Sequence, residues 1–270
     1  MSAMRMRDKR GNGLLGLCVL VGLAVFTGTA LAQEQGFYVG VPVTVERLNV
    51  LYDKAVDNTD SRNVSPSRGQ VYRADSSAAG ATGGAGFLAG YHVPFGASGV
   101  HLSGEFDLVV HGGAVRGRLE GAGFSPERIQ LGENWPEDWT FNKERSYGFT
   151  VRVGGGIPGG SGLSLYALAG LRRLDANFSV DYIGCYTYAL CTEDQLTPAA
   201  DSYEENLTGW TAGGGVERRF GGNVGIRGEL RYTSYGSAER VIPYDDLAIR
   251  VPLALHADGV GVQLGLLWYF

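Results

Sequence analysis

Ten charged side chains fall on the small, polar parity of segments whose other parity is apolar: Glu46, Glu105, Asp107, Arg152, Arg172, Glu217, Arg219, Arg227, Glu229 and Arg231. Gathered in one interior, carboxylates and guanidinium groups persist only as hydrogen-bonded pairs. Such a network either lines an ion path or fills the interior as a polar plug. Eight of the ten form the expected interior network: Glu105, Asp107, Arg152, Arg172, Glu217, Arg227, Glu229 and Arg231. One pairing follows from spacing. A hairpin folding back across Gly221-Gly222-Asn223 sets Glu217 near Arg227 and Glu229, so that this acid can bridge to Arg227.

Other chemistry is thinner. His101-Leu102-Ser103 has the spacing of a strand-borne base and nucleophile, but acyl transfer also needs an acid to orient the imidazole, and none stands at a suitable later position. No catalytic residue is assigned. His92 is expected across a short hairpin from Ser103 as a hydrogen-bonded interior residue, with His111 and His256 solvated at loop edges. Cys185 and Cys191 are expected to form one disulfide closing a small ring; a metal pair is the rival, and no His lies in their segment. GENWPEDW, Gly132 to Trp139, is either a recognition surface or a self-packed loop cap. Asn58 to Asp60 and Asp245-Asp246 are too sparse for calcium. Neither metal nor cofactor is expected.

The elements that position these residues are strands. Apolar residues recur at every second position in eight runs: Phe37 to Glu46, Gly84 to Phe95, Val100 to Val110, Ser146 to Ile157, Leu163 to Arg172, Leu207 to Phe220, Val224 to Tyr235 and Gly259 to Phe270. A period of two presents one face to an apolar medium. The apolar parity is large and continuous, while the other mixes Gly with Arg, Glu and Asp, which suits the cramped interior of a closed barrel. Connections alternate strictly: tight at Gly96 to Gly99, Pro158 to Gly162 and Gly221 to Asn223, long at about 48–83, 111–145, 173–206 and 236–257. That alternation predicts an all-β fold, an eight-stranded antiparallel up-and-down transmembrane barrel with short turns at one end, four long loops at the other, and the last strand paired with the first.

Composition agrees. Gly is 43 of 270 residues without a triplet period, aromatics are 11%, and after residue 35 no run approaches the length of a membrane helix. Arg5, Arg7, Lys9 and Arg10 precede an apolar run from Leu14 to Ala30 that closes on Ala30-Leu31-Ala32, a secretory signal peptide over 1–32, with an uncleaved anchor as the alternative. The string GNGLLG at Gly11 to Gly16 lies inside that leader, follows no strand and is no dinucleotide site. Taking the leader's four basic residues and one acid from totals of 23 and 28 leaves 19 against 27, an acidic balance that argues against nucleic acid as a partner.

On the strand count, the loop sorting, the RGELRYTSYG run at Arg227 to Gly236 and the terminal WYF, residues 36 to 270 resemble the eight-stranded OmpA-like outer-membrane barrels and, more loosely, porin-family surface proteins with no periplasmic domain. The resemblance implies the outer membrane of a Gram-negative bacterium, outer-membrane lipid and lipopolysaccharide as partners, and an assembly machinery that reads Trp268 and Phe270. With nothing after the eighth strand, a peptidoglycan-binding role does not carry over. The leading expectation is a structural surface protein, adhesive through its loops toward a partner the sequence does not name. A narrow channel for ions or small solutes is the alternative. A lipid A-modifying enzyme, suggested by the His-x-Ser spacing of lipid A deacylases, is third, and a soluble secreted barrel fourth.

Overall fold

The computed structural model describes residues 35–95, 99–121, 136–157, 162–184, 192–220 and 223–270. The leader, Cys185, Cys191 and Trp135 lie outside them. The described residues form nine strands: β1 (Gly36–Asp57), β2 (Val71–Phe95), β3 (Val100–Gly112), β4 (Ala114–Leu119), β5 (Glu137–Gly156), β6 (Leu163–Gly184), β7 (Thr197–Phe220), β8 (Val224–Tyr244) and β9 (Ile249–Tyr269). All pairings are antiparallel, in the order β3-β2-β1-β9-β8-β7-β6-β5-β4, and a β3–β5 ladder from Val100↔Gly155 to Val110↔Arg145 closes the ring. β3 and β4 are two lengths of one stave, broken at Gly113, whose φ of +105° favours glycine. The ring therefore has the eight staves the alternation predicts, and β1 pairs with β9 from Tyr38↔Tyr269 to Asp57↔Arg250.

The long segments depart from the sequence reading. They are expected as loops, yet most of the described part of each is strand. β1 and β2 stay paired up to Asp57↔Val71, β6 and β7 up to Gly184↔Thr197, and β8 and β9 up to Tyr244↔Ile249. Apart from the broken β3–β4 stave, the strands run 20 to 25 residues, about twice the 9–11 that cross a bilayer. The barrel thus has a lower half, at the short-turn end, and an upper half of equal height.

The two halves are built on opposite rules. Below, large apolar residues point outward: Val45 is 62% exposed, Leu171 69% and Leu264 59%, and the band continues through Phe87, Phe106, Phe149, Val216 and Ile226. A contiguous apolar exterior of this extent is at home only in an apolar solvent. Above, the interior becomes dry. Leu48, Val50, Tyr52, Val115, Leu119, Trp139, Phe141, Leu174, Phe178 and Leu207 pack in one buried cluster with Val251, Leu253 and Leu255.

In β9 the change is a phase inversion of the sequence itself. Val251, Leu253, Leu255 and Ala257 face in, whereas Val260, Val262, Leu264, Leu266 and Trp268 face out. β1 does the same, from Val41, Val43 and Val45 outside to Leu48, Val50 and Tyr52 inside. The inversion falls where the surrounding solvent changes from apolar to aqueous, because each half turns its greasy face away from water.

At the β1–β2 tip, Asn63 is fully buried, donates to Asn58 Oδ1 at 3.2 Å and accepts from the Ser65 N–H at 2.7 Å. Asp60 accepts from the Arg62 backbone N–H at 2.9 Å and from its Nη2 at 2.7 Å. The Arg62 side chain and then its backbone N–H hold the Asp60 carboxyl down at about 2. Because the folded value is depressed, this contribution is complete above the ordinary carboxylate range near pH 4 and lost as pH falls through about 2. Protection of the Arg62 amide, its exchange rate taken relative to the unstructured peptide at the same pH, should hold down to about pH 4 and fall between there and about pH 2, and in Asp60→Asn that acid-dependent fall should be absent.

Candidate functional site

The lower lumen is where the sequence places its charges, and the strands bring them together. An eight-stranded ring leaves room inside only for side chains. Inward glycines make that room: a Cβ on Gly90 would overlap the Tyr38 ring, and one on Gly215 would come within 2.5 Å of the Tyr166 hydroxyl. Tyr38, Tyr166 and Tyr269 therefore lie across the lumen instead of outside it, and Tyr166 donates to Glu229 Oε1 at 2.8 Å.

At the centre, Glu105 and Glu229 are shared among arginines. Arg152 donates to Glu105 Oε1 at 2.6 Å and to Glu229 Oε1 at 2.8 Å. Arg227 reaches Glu105 Oε2 at 2.5 Å, and its Nε lies 3.3 Å from Glu229 Oε1, a charge contact whose angle makes no hydrogen bond. Arg231 donates through Nε to Glu229 Oε2 at 2.7 Å and lies 3.5 Å from Asp107, which also takes Arg172 Nη2 at 2.6 Å. Four guanidinium groups thus face three carboxylates, all buried from solvent. At such burial every charge depends on its neighbours: the isolated ion would carry a desolvation cost of several kcal/mol.

One expected pair does not form. Glu217 and Arg227 are register partners as the hairpin spacing requires, but their side chains diverge. Glu217 instead takes Arg219 Nε at 3.2 Å and the Tyr269 hydroxyl near the short-turn rim, while Arg227 turns to Glu105 across the ring. A cross-lumen acid outcompetes the ladder neighbour because it also serves Arg152.

Above this network a second polar layer was hidden from the sequence. Lys143 is buried, ion-paired to Glu46 and bonded to the Tyr235 hydroxyl at 2.6 Å. His111 meets Ser146 Oγ at 2.8 Å and is partly buried, so the expectation that it is solvated fails. A cavity of about 40 Å³ lies between this layer and the arginines, lined by Thr44, Glu46, Lys143, Arg172, Arg231 and Tyr235 among others, and Arg172 bridges the two by donating to Ser146 Oγ at 3.1 Å. Lys143 is missed because it shares its parity with outward Tyr147 and Phe149. A bulge between Lys143 and Arg145 shifts the register by one, and everything above it faces the other way.

The remaining candidates scatter. His92 lies across from Ser103 in register and stacks on His101 at 4.7 Å between ring centroids, all three buried at the short-turn end. The only carboxylate near these imidazoles is Glu217, engaged with Arg219 and Tyr269, so no oriented triad is assembled among the described residues. His256 is half exposed, 3.8 Å from Asp53. Trp139 of the GENWPEDW segment is buried in the upper core, its indole donating to Ser76 Oγ at 3.2 Å, and Glu137 is buried with it, while Asp138 between them is exposed; residues 132–135 of the segment lie outside the described residues. Among the described residues no three His, Cys, Asp or Glu side chains converge as a metal set. Trp268 and Phe270 project outward at the short-turn rim, 40% and 80% exposed.

No curated protein matches the chain. Solved barrels do, at low identity: Ail, the attachment invasion locus protein of Yersinia pestis, at 14% identity over 84% of this chain and 99% of that one, with a TM-score of 0.31; OprG of Pseudomonas aeruginosa, at 10% over 86% and 96%, with a TM-score of 0.40; and the protease OmpT of Escherichia coli, at 7% over 89% and 98%, with a TM-score of 0.40. The sequence matches the outer membrane protein beta-barrel domain over residues 18–270. With its closed ring, apolar girdle and charged lumen, the chain belongs to that family of Gram-negative outer-membrane barrels.

Proposed function

We propose that the protein is a structural surface barrel that does not conduct. Its lower half is held in lipid, and its upper half stands in water at the cell surface as a rigid stalk whose tips make adhesive contacts. The single observation supporting this reading most strongly is the double closure of the lumen. The shared-carboxylate network fills the lower half, and the dry cluster around Leu48, Phe141, Leu174 and Leu207 fills the upper half. A plug of paired charges rearranges to pass an ion more readily than a packed apolar core does, since the latter offers a bare ion nothing to replace its water. Outer-membrane lipid and lipopolysaccharide are the partners proposed for the girdle. The assembly machinery is proposed to read the end that carries Trp268 and Phe270.

Reconstituted into planar bilayers, the wild-type barrel is expected to show no discrete conductance steps. Arg152→Ala and Arg227→Ala are expected to remain silent too, because the apolar plug above is untouched. The competing reading, a narrow channel, is favoured by the polar cavity between the two closures. Regular wild-type steps that vanish or change selectivity on replacing Arg152 or Arg227 would establish that reading and reject ours.

A further inference from the structure

At the upper mouth, above the dry core, inward residues of β1, β5, β6, β7, β8 and β9 line a partly open cup with a cavity of about 50 Å³. A cavity of that size holds a few water-sized groups, room for one compact head group and no more. Its walls carry four tyrosines, Tyr52, Tyr182, Tyr203 and Tyr244, and the remaining lining includes Val180, Ile242, Val251 and Leu253. The floor is firm: the Tyr52 ring meets Phe178 edge-on at 4.9 Å and Trp139 at 6.3 Å, and its hydroxyl donates to Glu137 at 3.2 Å.

The charge of the cup is unbalanced. Three of its residues ionise: Lys54, Glu137 and Asp201. Lys54 and Glu137 neutralise each other in an ion pair at its edge. Asp201 accepts from the Tyr182 hydroxyl at 3.1 Å and has no ion pair among the described residues. Tyr203 remains neutral: burial, then Asp201 and Tyr244, push it up to about 12. Aromatic faces, apolar side chains and one carboxylate without a cation are complementary to a positive charge wrapped in methyl groups. A bare ammonium would lose its hydration against the apolar lining, and an anion would meet Asp201. The rings here already take cations: the Arg240 guanidinium lies 4.8 Å from the centre of the Tyr203 ring while its charge is met by Glu205 at 3.0 Å.

We propose that the mouth of the barrel binds a small quaternary ammonium group of the trimethylammonium type, held by tyrosine faces and by Asp201. The proposal depends on the surface-stalk reading only for the mouth's access to the exterior. Binding is measured on the detergent-solubilised full chain, so a failure of that reading and a failure of binding are separate results.

Ligand-observed NMR titration compares choline with 3,3-dimethylbutan-1-ol, which has the same shape without the charge. Choline is expected to bind saturably and at least tenfold more tightly than the alcohol. Asp201→Asn should weaken choline about tenfold and leave the alcohol unchanged, and Tyr203→Leu, which keeps apolar bulk but removes the ring face, should also weaken choline selectively. Heat-modifiable gel mobility confirms that each variant is folded. Equal affinity for the two probes, no saturable choline signal, or an Asp201→Asn barrel that binds choline as the wild type does would each overturn the proposal.

Discussion

Glu229→Ala is expected to lower the unfolding free energy of the refolded barrel by about 3–5 kcal/mol, the usual cost of leaving buried charges without their partner. Glu229 is the acceptor on which three arginines converge. Arg152 and Arg231 bond it at 2.8 and 2.7 Å, Arg227 lies against it at 3.3 Å, and Tyr166 adds a fourth contact at 2.8 Å. Removing it leaves four guanidinium groups to Glu105 and Asp107 in a lumen that glycine-backed tyrosines have already filled. Relief by rearrangement is small because the staves are fixed by continuous ladders on both sides. Glu229→Gln should fall between wild type and alanine, since it keeps two polar atoms but not the charge. Replacing the charged set together by apolar residues of similar volume should cost far less than any single deletion, because the penalty arises from imbalance and not from lost attraction. Equilibrium urea unfolding in lipid vesicles, followed by tryptophan fluorescence, gives these differences. A Glu229→Ala loss under about 1 kcal/mol would mean that the network is hydrated, and with it the case for a sealed lumen would weaken.

How legible this arrangement is in the sequence depends on the solvent around each half. In the lower half the alternation is read directly, since lipid outside and polar groups inside give every strand one apolar parity. Glu105, Asp107, Arg152, Arg172, Glu217, Arg227, Glu229 and Arg231 all face inward as that parity requires. What parity leaves open is which charge meets which across the ring. Glu217 and Arg227 part company because Glu105, distant in sequence, lies opposite. In the upper half the same rule misleads. Leu48, Val50 and Tyr52 continue β1 on the parity of Thr44 and Glu46, so a reader following the outward valines sees the pattern stop and places a loop at residue 48. The strand has not stopped; water has replaced lipid outside it. Ser76, Ser77, Ala78, Ala79 and Gly80 of β2 carry too little apolar bulk to announce a strand at all, and their ladder to β1 rests on backbone bonds.

Deleting Glu144 is the sharpest test of that two-solvent construction. β5 carries Tyr147, Phe149, Val151 and Val153 outward in the lower half and Trp139, Phe141 and Lys143 inward above, all on odd positions, and only the extra residue between Lys143 and Arg145 reconciles the two. Without it the ladder to β6 must choose. If the lower half keeps its register, Trp139 and Phe141 swing out to water, Lys143 leaves Glu46 and Tyr235, and Asp138, Thr140 and Asn142 enter the dry core. Withdrawing two fully buried aromatics costs about 3–5 kcal/mol each by the scale of core truncations, and the three polar residues add their own desolvation. This exceeds the stability of most domains, so the upper half should not form, while the girdle and the arginine network below retain every contact. The expected result is a barrel that still inserts and shows heat-modifiable mobility, yet is clipped within 48–83 and 173–206 by a protease added to whole cells that leaves the wild type intact. A deletion variant that resists protease as the wild type does would show that the upper staves are not held by their inward apolar face, and the inversion of the pattern at the lipid boundary would then need another cause.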